Sequence, residues 1–123
     1  MLRSKYTLIW LALLVLMLPV ALGAFGAHGL KSYITPEMLE IYKTGVFYHL
    51  IHSVVLFAIG LSSIEKFNKP AIFFSIGILL FSFSLYLYSV TAVTFFAFIT
   101  PFGGVSLLIG WALVVYAGVK KDH

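Results

Sequence analysis

The sequence has no cysteine. That excludes disulfide exchange through its own thiols, and it excludes metal or iron–sulfur sites held by thiolate. Charge is scarce as well. Only 10% of the 123 residues are Asp, Glu, Lys or Arg, and four are acids, against roughly 25% charged in an ordinary soluble domain. Positions 70–119 carry no formal charge. What remains is 62% hydrophobic. A single domain of this size has too much surface for its volume to hide that from water. Lipid as the solvent removes the conflict.

The net charge of +4 does not read as a nucleic-acid surface, which needs a clustered basic face with aromatics between the charges. The basic residues instead stand in pairs at the edges of apolar runs. No nucleic-acid partner is expected; the bilayer is.

Four apolar runs stand out, at about 6–27, 44–63, 70–90 and 101–119. Each is close to the ~20 residues an α-helix needs to cross the hydrocarbon core. Dyad alternation, the mark of barrel strands, is absent. The expectation is an all-α, single-domain integral membrane four-helix bundle spanning 1–123. Residues 70–119 divide into two crossings joined by a turn near Thr91 to Ile99.

Start signals mark the boundaries. Thr35-Pro36 and Thr100-Pro101 each set a capping hydroxyl before a proline at the first helical position. Asn68, ahead of Pro70, reads as a third cap. The second helix is expected to begin at Pro36, before the membrane, with Glu37 and Glu40 at the positive end of its dipole. Pro19, followed by Gly23 and Gly26, predicts a kink or loosening in the first helix. A secretory signal cleaved after Ala24-Phe25-Gly26 is the competing reading of that run. Its apolar core would exceed the roughly 7–15 residues such signals use.

Orientation follows the bias of Lys and Arg. One side collects Arg3, Lys5, Lys66, Lys69, Lys120 and Lys121; the other has only Lys31 and Lys43. Both termini are therefore expected in the cytoplasm, and the protein in the plasma membrane.

Small residues mark where membrane helices approach closely. Ser75, Ser82 and Ser89 recur on the third run; Gly103, Gly110 and Ala117, with Ser106 beside them, recur on the fourth. On the second, Gly45, His49, Ser53 and Gly60 fall within about 80° of arc, and His52 flanks them. Packing is the first reading of all these stripes.

The histidines carry more information. His28 closes the first run, and His49 and His52 lie one turn apart on the second. An unpaired polar group in an apolar medium costs roughly 2–7 kcal/mol, so such residues face the bundle and mark a site or pin helices by one hydrogen bond each. With Tyr48, Ser82, Ser84, Tyr86 and Thr100 they make a candidate polar site, expected in the outer half of the bundle.

These segments resemble a family of small bacterial membrane proteins, the YgdD and YwdK type, over essentially the whole chain. The carriers are GAFGAHGLK from Gly23 to Lys31, YHLIH from Tyr48 to His52, FSFSLY from Phe81 to Tyr86, and TPFGG from Thr100 to Gly104, followed by Gly110-Trp111. Phe83 stands where the family's pattern has glycine. The resemblance implies a multi-spanning protein of the bacterial plasma membrane and implies no particular activity.

Three functional readings follow, in order. The first is a non-catalytic membrane binding or scaffold component, alone, as a homo-oligomer or with other membrane proteins. No nucleophile–base–acid set, phosphate loop or carboxylate lies inside a span. The second is a conduit for protons, a metal ion or a small polar solute through the histidines, with the Thr100-Pro101 helix start offering N–H groups to an anion. The third is a cofactor enzyme, with haem or a divalent metal held by His49, His52 or His28. His49 and His52 share a helix and could not sandwich one haem. No cofactor is the expectation.

Overall fold

The structure is a computed structural model that describes residues 5–120, with side chains from Met17 onward. Arg3 and Lys121 of the charge argument lie outside the described residues. No strand occurs among those described. The helices are α1 (Lys5–His28), α2 (Pro36–Ser62), α3 (Asn68–Gly77), α4 (Phe83–Thr91) and α5 (Thr94–Val119). A single π-helical turn, Ile78–Ser82, joins α3 to α4 without a break. The three together form one rod and one crossing.

The start of α2 follows from its sequence. Thr35 takes an extended backbone, and its Oγ1 accepts a hydrogen bond from the Met38 N–H at 3.1 Å, with Pro36 at the first helical position. That satisfies one of the donors a helix start leaves open. The other two expected caps are absent. Asn68 is already helical, and Phe67 before it makes no side-chain cap.

Thr100-Pro101 starts nothing: α5 begins at Thr94, and Pro101 lies inside it. The connection from α4 is only Ala92-Val93, with Ala92 left-handed at φ 58°. The Val93 N–H donates to Thr91 Oγ1 at 3.2 Å. The physical reason is the solvent. An irregular stretch from Thr91 to Ile99 would leave backbone groups without partners in lipid, whereas a helix pairs them internally and tolerates one proline. The free N–H groups that an anion site at Thr100 would have required are thereby removed.

α1 continues as helix through Pro19, which is fully buried, to His28. Helices pack on their chain neighbours: α1 along α2, α2 on the rod, and α5 on the rod. The buried apolar cluster is small, built on Ile59, Phe74 and Leu107. Large apolar side chains such as Phe98, Phe102, Leu108 and Val115 are exposed, a surface that suits lipid and not water. Among the described residues, Pro36–Ser62, Glu65–Thr91 and Thr94–Val119 are long and apolar enough to cross a membrane. The protein is a helical, multi-pass membrane protein.

Candidate functional site

The π turn sets which side chains of the rod point inward. Its hydrogen bonds close one residue wider than α-helical ones, as in Phe83 N–H to Ile78 O. Positions after it therefore lag in phase behind positions before it. Ser75, on the near side, is exposed and donates to its own Ala71 carbonyl at 2.9 Å. Ser82, Ser84 and Ser89, within or beyond the turn, are buried. The serine stripe read at seven-residue spacing is thus broken, and Ser75 is not part of it. The stripes on α2 and α5 hold: Gly45, His49, His52, Ser53 and Gly60 are buried, as are Gly103, Ser106, Gly110 and Ala117.

Close approach is real at some glycines and not at others. A Cβ on Gly103 would lie 2.2 Å from the backbone nitrogen of Phe81, and one on Gly110 would lie 2.8 Å from the Phe74 ring. Gly26 makes room for the Tyr42 ring. Gly23 and Gly104 meet only ordinary contacts, at 3.4 Å from Val46 and 3.7 Å from Phe81.

The two buried histidines have different surroundings. His52 Nδ1 lies 2.7 Å from the carbonyl of Tyr48, one turn earlier on α2. Its Nε2 accepts the indole N–H of Trp111, on α5, at 3.0 Å. A carbonyl only accepts and an indole only donates. Together they specify the neutral ring with its proton on Nδ1. Both nitrogens are used, so the ring has no electron pair left for a metal. Phe74 and the Trp111 ring pack around it, with centroids 5.5 and 5.8 Å away.

His49, one turn back, faces the rod instead. Its Nδ1 lies 2.7 Å from the Tyr86 hydroxyl, and Phe83 packs against the ring at 5.5 Å. The side chain at the position where the family's pattern has glycine therefore lies against a candidate site histidine. With thirteen residues of α2 on either side, His49 is at the midpoint of its helix, and His52 lies beyond it.

Of the remaining candidates, Ser84 and Thr100 join α4 to α5 through their hydroxyls at 2.6 Å. Tyr48 is exposed, with its ring tilted against that of Phe81 at 4.7 Å between centroids. His28 is exposed at the end of α1 and does not join the other two. No group of three His, Cys, Asp or Glu side chains able to hold a metal occurs among the described residues. The site thus resolves into three fastenings: His52–Trp111, His49–Tyr86 and Ser84–Thr100.

Ser106, on the small-residue face of α5, donates to the Phe73 carbonyl at 2.8 Å. Residues that the sequence did not single out for a site complete it. Tyr42 donates its hydroxyl to the Leu22 carbonyl of α1 at 2.5 Å. Trp111 had a usable signal: an indole N–H in the middle of an apolar helix needs an acceptor. Gly77, whose Cβ would strike Leu107, stands outside the stripes of small residues read from the sequence.

Among the described residues, one buried side-chain polar atom is unmatched. The Ser82 hydroxyl is fully buried and has no hydrogen-bond partner. Removing an unpaired buried group recovers its desolvation cost, so Ser82→Ala should stabilise the protein by about 1 kcal/mol. Thermal unfolding in mild detergent measures this. A destabilised Ser82→Ala would mean that the hydroxyl is bonded in the membrane.

Comparison with known proteins agrees with this architecture. A family model described as "Protein of unknown function (DUF423)" matches residues 22–104. The UPF0382 membrane protein YwdK of Bacillus subtilis is 43% identical over 109 residues, covering 85% of this chain and 89% of that one. A UPF0382 membrane protein of Haemophilus influenzae is 40% identical over 105 residues, covering 83% and 85%. The UPF0382 inner membrane protein YgdD of Escherichia coli K12 is 33% identical over 121 residues, covering 95% and 92%. No solved structure matches. With its helices, its apolar exterior and this likeness along most of its length, the chain belongs to the DUF423 family of bacterial membrane proteins.

Proposed function

We propose that the protein is a non-catalytic binding or scaffold component of the bacterial plasma membrane, with both ends in the cytoplasm. One observation carries the reading. Both buried histidines and the Ser84 hydroxyl are bonded to side chains of other helices: His52 with Trp111, His49 with Tyr86, Ser84 with Thr100. Such pairs fix helices in place and, among the described residues, leave no nucleophile–base–acid set and no relay of exchangeable protons through His52. A proton path would need that ring to release one bond at each transfer. Meanwhile an uncharged cleft of about 530 Å³, bordered by Tyr48, His52, Phe81, Pro101, Gly104 and Trp111, lies between α2, the rod and α5.

The test is affinity purification in mild detergent, analysed for protein partners and bound small molecules. A stoichiometric companion of either kind is expected, and proton flux in vesicles should be equal for wild type and His52→Leu. Flux that requires His52 would replace this reading with a conduit. Because the chain lacks cysteine, single cysteines report the orientation cleanly. One at Tyr33 should react with an impermeant reagent from outside, and one at Lys66 should not.

A further inference from the structure

The two ends of the bundle differ in charge. α1 and α2 run antiparallel, with Tyr42 bonded to Leu22 and Gly23 beside Val46. α2 and the rod do the same, with Gly45 at Tyr86 and His52 at Phe74. So do the rod and α5, with Gly103 at Phe81, Leu107 at Gly77 and Gly110 at Phe74. The start of α1, the link from α2 to the rod and the end of α5 therefore share one end. Six of the eight Lys and Arg fall in those three places, with two of the four acids. At the other end Lys31 and Lys43 are balanced by Glu37 and Glu40, and Lys43 Nζ lies 3.7 Å from the Glu40 carboxylate. The whole net charge of +4 belongs to one end.

Packing gathers part of that charge. Continuing the register of Gly103, Leu107 and Gly110 for two turns brings the end of α5 level with the 3-10 turn Glu65–Phe67. The turn and α5 pack together. Lys120, which follows α5, holds its Nζ 5.8 Å from the centre of the Tyr116 ring, one turn back. Lys66, in the turn, holds its Nζ 5.9 Å from the centre of the Phe67 ring. An ammonium this close to an aromatic face is attracted by it. Both charges are so kept beside the apolar rim, and Lys69, exposed, is one turn from Lys66.

Place and charge together select the partner. Val115, Tyr116 and Val119 are exposed, so an apolar surface facing lipid runs directly up to the lysines. Tyrosine suits that level, since its ring sits among lipid headgroups. A ligand matching both parts carries an anionic phosphate on acyl chains. We propose that this rim binds the headgroup of an anionic phospholipid, with Lys66 and Lys69 on the rod and Lys120 and Tyr116 on α5. The inference goes beyond the scaffold reading and does not depend on it.

The experiment places the full-length protein in phosphatidylcholine vesicles and compares spin-labelled phosphatidylglycerol with spin-labelled phosphatidylcholine at the protein surface. Wild type is expected to select the anionic lipid about fivefold, the worth of one lysine near an anionic surface. The preference should vanish at about 1 M salt, where the screening length is ~3 Å. Lys66→Gln/Lys69→Gln/Lys120→Gln should abolish it at low salt, whereas Arg at the same three positions should keep it. Lys31→Gln/Lys43→Gln, at the opposite end, should also keep it.

Equal association of the two lipids with wild type would overturn the proposal without any variant. So would a triple Gln variant that selects as wild type does, or an opposite-end pair that loses as much. Displacement of the lipid by inorganic phosphate at constant ionic strength would show a site for the free anion and end the proposal. A captured acidic protein without lipid selectivity would keep the scaffold reading and end this one.

Discussion

Gly103→Ala is expected to cost about 3 kcal/mol, the upper end of what overpacking does, while Gly104→Ala next to it should be neutral or slightly stabilising. The added methyl on Gly103 would sit 2.2 Å from the Phe81 nitrogen and 2.6 Å from the Leu80 carbonyl carbon. Both are backbone atoms of the π turn, and no rotamer change moves them. α5 would have to shift off the rod, and the contacts of Leu107 and Ser106 would go with it. On Gly104 the same methyl meets only the Phe81 ring, at 3.7 Å, and replacing a helical glycine gains up to about 1 kcal/mol of propensity. Unfolding of both variants in mild detergent is the measurement. Equal effects at the two positions would show that α5 does not pack on the rod in this register.

The second large effect is expected at the His52–Trp111 bond. His52→Leu should cost about 2–3 kcal/mol, because it strands the indole N–H of Trp111 in an apolar setting and loses the Tyr48 carbonyl's partner. Trp111→Phe should also destabilise, leaving His52 Nε2 unpaired. The double variant has neither orphan, so its cost should fall short of the sum by about 1 kcal/mol or more, the coupling of a direct contact. Simple additivity would mean that the two side chains do not bond. The bond matters to the architecture because it ties α2 to α5 over Phe74, and each of those helices packs mainly on the rod.

The local signals that succeeded are ones whose physics is local. Thr35-Pro36 starts α2 because a hydroxyl acceptor and a missing N–H act within one turn. The Gly103, Ser106, Gly110 and Ala117 face of α5 is buried because an uninterrupted helix keeps its phase. The same kind of signal misled at Thr100-Pro101. A cap-like pair there is overruled by the need to pair backbone groups in lipid, and the threonine serves Ser84 instead. The candidate polar residues were legible by type, since polar side chains in a span must find partners. Their partners were not: His28 stands apart, and His49 and His52 bond to different helices.

Composition and hydropathy by themselves determined the solvent and the helical class, because the cost of apolar surface in water and of unpaired backbone in lipid depends on residue type summed along the chain. Tertiary structure alone decided the facing of the rod. One π turn shifts the phase of everything after Gly77, and no periodicity read at a constant angle per residue can anticipate it. That shift turns Ser75 outward and Ser82 inward and brings Phe83 and Tyr86 against His49.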